Sequence, residues 1–146
     1  AAAEIFLFDK LKEKYGYKDF AECFKDRVNR REEWFNEICE FNKEDPARLA
    51  KEIMKKANIY CGMRSDREIQ KCIEDEVFDH IIEIFNPHLP KESPESFDIN
   101  FDSLPKYYTI YNDSDLDTLR LRLMELIMKL NIIELQKKVT KESVEI

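Results

Sequence analysis

The chain carries few residues whose type and spacing could support catalysis. Its 146 residues include two histidines and four cysteines. Cys61, Cys72, His80 and His88 are residue types that bind zinc, but their spacing matches neither the paired-cysteine nor the paired-histidine pattern of zinc sites. Buried cysteines and ordinary polar histidines account for these residues better. We therefore expect no metal site.

Nucleotide and nucleophile motifs are also missing from the sequence. Two glycines cannot build a glycine-rich phosphate loop, and no G-x-S-x-G elbow occurs. Carboxylate pairs such as Glu74 with Glu76 arise by chance among 31 acidic residues, and catalysis would need their pKa values to be driven apart. The acidic run 113–117 lacks the glycine and closing glutamate of a calcium loop. The sequence predicts neither an enzyme nor a cofactor.

Composition and charge limit the classes of partner. The mass is 17.5 kDa, the hydrophobic share 43%, the net charge −7 and the pI about 5.0. An acidic balance disfavours binding to nucleic acid, since phosphate contacts need clustered Lys and Arg. No apolar run approaches the roughly 20 residues that span a bilayer, and the opening residues do not show the basic region followed by an apolar region that is typical of a signal peptide. We expect a cytoplasmic protein with reduced cysteines, a protein partner, no nucleic acid and no membrane insertion.

The periodicity predicts an all-α fold, a single bundle of six to seven helices over 1–137. The first helix should end at Gly16, which suits a left-handed residue after a helix, and the second should run from Lys18 to Val28. Further helices are expected from Asn29, which has capping-box spacing to Glu32, from Asp45-Pro46, and from Ser65 to Phe85. The last of these could break near Glu74-Asp75-Glu76, where the apolar face shifts. A Pro-rich, aromatic-containing connector over 86–112 then precedes a long C-terminal helix, with a charged, frayed tail over 138–146. The inward faces expected for the second and third helices include Phe20, Cys23, Phe24, Val28, Trp34 and Phe35.

The last helix carries an apolar seam with steps of three and four residues. Such a seam needs a partner surface, either the domain's own helices or a second chain. The seam residues are Leu116, Leu119, Leu123, Leu126, Leu130 and Ile133.

Basic residues crowd the expected start of the third helix. Arg30 and Arg31 precede Glu32 and Glu33 there, and positive charge at a helix N-terminus opposes the helix dipole by a few tenths of a kcal/mol per residue. A binding partner would explain their presence.

The first half of the chain resembles the regulator-of-G-protein-signalling (RGS) homology domain. Phe8-Asp9-Lys10-Leu11 and Lys14-Tyr15-Gly16-Tyr17, followed by Phe20 and Phe24, are similar to the family's opening helix pair. The later matches are the pair Trp34-Phe35, the segment Glu40-Phe41-Asn42-Lys43, the residues Leu49, Ala50 and Ile53, and the helix start Val77-Phe78-Asp79. The resemblance covers about 8–85. The family's closing segment has its nearest counterpart at Ser96-Phe97.

The departures from the family pattern bear on activity. Members that accelerate GTP hydrolysis carry two asparagines at places that fall here near Arg30-Arg31-Glu32 and near Lys71. Arginine donates hydrogen bonds and cannot accept them, so it cannot replace an amide that orients a glutamine. The resemblance therefore implies a non-catalytic adaptor or scaffold domain in signalling. The implied protein-binding surface comprises Arg30, Arg31, Glu32, Glu33, Glu68 and Lys71.

Two alternatives remain open at the level of sequence. The first is a self-associating module that dimerises through the Leu116–Ile133 seam. The second is a Bcl-2-like modulator with a groove for an amphipathic helix, although no motif of that family is legible.

Overall fold

The computed structural model describes residues 2–91, 93, 97–105 and 107–144. Contacts between residues divide the chain into two compact units. Unit 1 comprises Ala1–Asp79 and Glu92–Leu104, and unit 2 comprises His80–Lys91 and Pro105–Ile146. The sequence predicted a single domain over 1–137, and this stays a prediction.

Unit 1 is helical. A π-helical turn over Ala3–Leu7 leads directly into the first α-helix, α1 (Phe8–Tyr15), which Gly16 ends. Gly16 has a φ of 69° and donates its N–H to Lys12 O at 2.8 Å, which confirms the predicted left-handed end. Asp19 begins the next helix by accepting the N–H of Glu22 at 2.9 Å. The helices are α1 (Phe8–Tyr15), α2 (Phe20–Asp26), α3 (Arg31–Phe41), α4 (Arg48–Met54) and α5 (Asp66–Glu74).

The main core of unit 1 gathers apolar side chains from the π-helical turn and from α1 to α4. Leu7 and Cys23 are fully buried, and the rings of Phe6 and Phe41 stack with centroids 4.2 Å apart. The buried members are Ala3, Phe6, Leu7, Leu11, Cys23, Trp34, Leu49 and Ile53. A second buried cluster of Ala47, Ala50 and Cys72 joins α4 to α5.

Part of the Pro-rich connector packs on α5 within unit 1. The carboxylate of Asp98 accepts the N–H of Asp66 at 2.7 Å, and the carboxylate of Asp66 accepts the N–H of Asn100 at 3.1 Å. Asp98 thus caps the start of α5 from a distant point in the sequence. A 3₁₀ turn over Phe101–Ser103 follows, and Leu104 is buried.

Unit 2 contains two parallel strands and a long helix. Strand β1 (Ile81–Phe85) pairs with β2 (Tyr107–Tyr111) in the register Ile81 with Tyr107. Helix α6 covers Leu116–Val144, and Asp115 accepts the N–H of Thr118 at its start.

The all-α prediction is wrong because of this sheet. We expected a helical stretch from Ser65 to Phe85 that could break near Glu74-Asp75-Glu76. The helix does end at Glu74, but the chain continues as strand β1 from Ile81 and not as helix. Glu76 adopts a left-handed φ of 52°, and the N–H of Val77 bonds to Cys72 O at 2.8 Å, which is a helix-ending motif that glycine usually forms. The Ile-Ile-Glu-Ile-Phe run is rich in β-branched residues and suits a strand once a partner strand is present.

Some predictions lie outside the described residues. Pro94 and Ser96 of the connector are among them, as are residues 145 and 146 of the tail. Residues 138–144 belong to α6, and fraying of the tail stays a prediction. Among the described helices, none is both long and apolar enough to cross a membrane.

Candidate protein-binding surfaces

Two of the four predicted residues at the start of α3, Arg30 and Glu33, are engaged inside unit 1. Arg30 Nε donates to Asp26 Oδ2 at 3.1 Å, and the guanidinium lies 4.1 Å from the ring centroid of Tyr15. Hydrogen bonds from Asn29, Tyr17 and Arg30, opposed by partial burial, lower the pKa of Asp26 to about 2. Arg30 therefore has an internal role that accounts for its position at a helix start.

Glu33 also has partners within unit 1, whereas Arg31 and Glu32 point to solvent. Lys14 Nζ donates to Glu33 Oε1 at 2.6 Å, and the Tyr15 hydroxyl donates to Glu33 Oε2. The bond from Lys14 is the main reason that the pKa of Glu33 lies below its ordinary value. Arg31 and Glu32 are exposed and have no hydrogen-bond or ion-pair partner in the described part of the chain.

Glu68 lies at the other end of α3, and Lys71 follows it on α5. Glu68 Oε1 accepts the Asn42 amide at 2.8 Å, just after the last turn of α3. Burial raises the pKa of Glu68, against the lowering effect of that bond. Lys71 pairs with Asp75, the residue just after α5, at 2.7 Å. Since an 11-residue helix is roughly 16 Å long, the structure does not bring the two predicted groups into one patch.

Sequence reasoning placed the apolar face of α2 inward, and the structure contradicts that prediction. Cys23 is fully buried, but Phe20, Phe24 and Val28 are 50%, 46% and 60% exposed. The Arg27 guanidinium stacks over the Phe24 ring at 4.4 Å from its centroid. We call Phe20, Phe24, Val28 and Arg27 the α2 surface. Spacing of three and four residues identifies an apolar face of a helix, but it does not indicate whether another element packs on that face.

The predicted seam on α6 is partly covered. Leu119, Leu123 and Leu126 are half-buried, whereas Leu116 is 60% exposed. Leu130 and Ile133 are half-buried as well. A further apolar stripe on the same helix, comprising Leu121, Met124, Ile127 and Met128, is more than half exposed. α6 therefore has apolar residues around most of its circumference.

The residues that suggested metal or nucleophile chemistry are dispersed. Among the described residues no group of three or more His, Cys, Asp and Glu side chains could hold a metal ion. His88 Nε2 lies 3.3 Å from Asp113 O, and His80 meets the Tyr108 ring edge-on. All four cysteines are free thiols. Burial is the largest effect on Cys72 and raises its pKa to about 12, which opposes thiolate formation.

No family model, curated protein or solved structure matches this chain. The RGS resemblance thus stays a prediction from residue spacing.

Proposed function

We propose that this chain is a non-catalytic protein-binding adaptor domain and that the α2 surface, together with Arg31, is where it binds its partner. The observation that carries the proposal is the outward orientation of the apolar stripe on α2, where Phe20, Phe24 and Val28 are each about half exposed. Exposed apolar patches bordered by polar residues are typical of protein interaction sites. Burying such a side chain fully contributes about 1.5–3 kcal/mol.

The two arginines beside the stripe support the same proposal. Arginine and aromatic residues supply much of the binding energy at protein interfaces. Because Arg27 stacks on Phe24, the edge of its guanidinium is left for a carboxylate, which it can bind through two N–H groups. Arg31 is exposed and can bind a second acidic residue. The expected partner therefore presents apolar side chains next to Asp or Glu.

The resemblance to RGS-homology domains supports binding without catalysis. By the resemblance, the two asparagines of the catalytic members fall near Arg30-Arg31-Glu32 and near Lys71, and neither amide is present at those places. We therefore propose that the chain does not accelerate GTP hydrolysis by a Gα subunit. Single-turnover hydrolysis with and without the protein measures this, and an acceleration above about 10-fold would contradict it, since catalytic partners of this kind accelerate by far more. A cytoplasmic location belongs to the same proposal, and four free thiols are compatible with it.

Site-specific crosslinking tests the α2 surface. We would place p-benzoylphenylalanine at position 20, and in a matched control at position 59, where Ile59 is 74% exposed in the same unit. Irradiation in lysate should yield a crosslinked protein only from position 20. That crosslink should weaken when Phe24→Ser and Arg31→Glu are added.

Arg30 is left unchanged in these variants because it binds Asp26 within the domain. The same crosslinked proteins from both positions, or equal yields with and without the added changes, would show that α2 is not the binding surface.

A further inference from the structure

Strand β2 has one edge that no described strand pairs with. β1 occupies the other edge in the two-stranded sheet. The open edge lies in a cleft of about 440 Å³ between β2 and α6, within unit 2. The cleft is lined by Tyr108, Thr109, Ile110, Tyr111, Arg122, Glu125, Leu126 and Lys129.

The two walls of the cleft have the same length. Four successive residues of β2 form one wall, and a strand rises about 3.3 Å per residue, so this wall is roughly 10 Å long. The α6 residues follow spacings of three, one and three, which places them on one helix face. From Arg122 to Lys129 the helix rises roughly 10.5 Å. A straight slot of this length suits three or four residues of extended chain.

Alternation along the strand shows which backbone groups face the cleft. The N–H of Asn112, just after β2, donates to Phe85 O of β1 at 2.7 Å. Tyr111 O instead accepts a hydrogen bond from Arg122 Nη1 on the α6 side. Alternate residues of a parallel strand direct their backbone groups to opposite edges. Thr109, two residues before Tyr111, therefore directs both its N–H and its C=O into the cleft.

We propose that this cleft binds an extended peptide segment of a partner protein, which adds to β2 as a third strand. Thr109 would then exchange two backbone hydrogen bonds with the peptide, as in strand addition at sheet edges. The inference goes beyond the adaptor proposal, because it concerns unit 2 and uses none of the residues of the α2 surface.

The cleft also defines the side chains of the peptide. Leu126 provides an apolar contact on the α6 wall. Arg122 is neutralised by Asp113 at 2.6 Å, whereas Lys129 has no ion pair in the described part of the chain. The peptide should therefore carry an apolar residue in the middle and an acidic residue at the end that lies by Lys129. Glu125, between the two basic residues, disfavours a second acid.

The stability of β-sheets favours a bound segment that adds a third strand to this sheet. Parallel strands are ordinarily buried in larger sheets, and a pair of strands alone is marginally stable in water. An unpaired edge is a template for another strand. A short segment is favoured over a helix because the slot offers a strand edge with Thr109 at its centre.

The probe is a peptide selected from a display library of random nonapeptides for binding to the full chain. The selected peptides should share an apolar residue in the middle of the bound segment and one acidic residue at one end of it. Thr109→Pro removes the N–H that points into the cleft and also the hydroxyl that donates to Glu83. The strand should tolerate it, because proline is found on strand edges where the N–H is unpaired. The proline variant should bind the selected peptide about 10-fold more weakly than wild type. Thr109→Val, which keeps the backbone N–H and loses the hydroxyl, should change the affinity less than about 3-fold.

A second measurement does not depend on the folding of the proline variant. Single N-methyl groups placed along the selected peptide should abolish binding at one position, where the peptide N–H donates to Thr109 O. Lys129→Glu should weaken binding of the peptide that carries the acidic residue. Replacing that acidic residue of the peptide by lysine should restore its affinity for the Lys129→Glu variant.

Three results would overturn the proposal. One is the selection of no peptide, and another is selected peptides that tolerate N-methylation everywhere or bind a folded Thr109→Pro protein as well as wild type. The third is a dimer of the free chain in sedimentation that Thr109→Pro converts to monomer, since the occupant would then be a second copy.

Discussion

The Asn42 side chain links the end of α3 to α4 and α5, and we expect Asn42→Ala to destabilise unit 1 substantially. Asn42 is only 6% exposed. Its Oδ1 accepts the N–H of Leu49 at 3.0 Å, and its Nδ2 donates to Glu68 Oε1 at 2.8 Å. One side chain therefore satisfies a buried backbone donor and a half-buried carboxylate.

The magnitude follows from what the substitution leaves without a partner. Leu49 is 3% exposed, so water cannot replace the lost acceptor, and a buried N–H without a partner costs about 1–3 kcal/mol. Loss of the bond to Glu68 adds about 1 kcal/mol. We expect a decrease of about 3 kcal/mol in the free energy of unfolding. At 2–4 °C per kcal/mol for a chain of this size, the melting temperature should fall by roughly 6–12 °C.

Urea and thermal unfolding followed by circular dichroism measure this change. Asn36→Ala is the matched control, because Asn36 is exposed on the same helix and its replacement by a better helix former should change stability by less than about 0.5 kcal/mol. A melting temperature for Asn42→Ala within about 2 °C of the control would refute the reasoning, since it would mean that neither hydrogen bond contributes.

Three further predictions concern particular residues of unit 1. Glu76→Gly should raise stability by about 0.5–1 kcal/mol in urea unfolding, because glycine adopts the left-handed φ of 52° without strain; a loss of stability would show that the backbone there is unstrained. Burial raises the pKa of Glu68 above 4.5, so the folded state binds this proton more tightly than the unfolded chain, and stability falls as the pH rises above about 4.5. Glu68→Gln should remove that fall in unfolding curves from about pH 4 to 8, and an unchanged pH dependence would assign it to other groups. Asp98→Ala should cost about 0.5–2 kcal/mol through loss of the cap on α5, and Asp102→Ala, on the same exposed segment, should cost less than half as much.

Local signals predicted the helices of unit 1 better than their boundaries. The end of α1 at Gly16 and a helix after Asp45-Pro46 are confirmed. The predicted capping box from Asn29 is wrong, because α3 begins at Arg31 and Asn29 instead donates to Asp26 at 2.8 Å. An asparagine side chain can bond within the preceding turn or cap the following helix. Because the local sequence is the same in both cases, it does not show which of the two forms.

The candidate surfaces were less accessible to prediction. The charge of Arg30 and Glu33 favoured a binding role, but Asp26 and Lys14 neutralise these two residues within unit 1. The exposed phenylalanines of α2 have the spacing of core residues. Whether a face is covered depends on where the other helices pack, and periodicity carries no information about that.

The sequence by itself determined the helical character of residues up to Glu74 and of the segment after Asp115, because capping residues and apolar spacing act within one or two turns. It also determined the absence of recognisable catalytic motifs. Only the tertiary structure decided that Ile81–Phe85 is a strand, since its partner Tyr107–Tyr111 lies beyond the Pro-rich connector and a short apolar run suits either a helix or a strand until backbone partners are fixed. The tertiary structure likewise decided that the backbone of Thr109 faces an open cleft, because the edge of a strand is defined by which neighbour it pairs with.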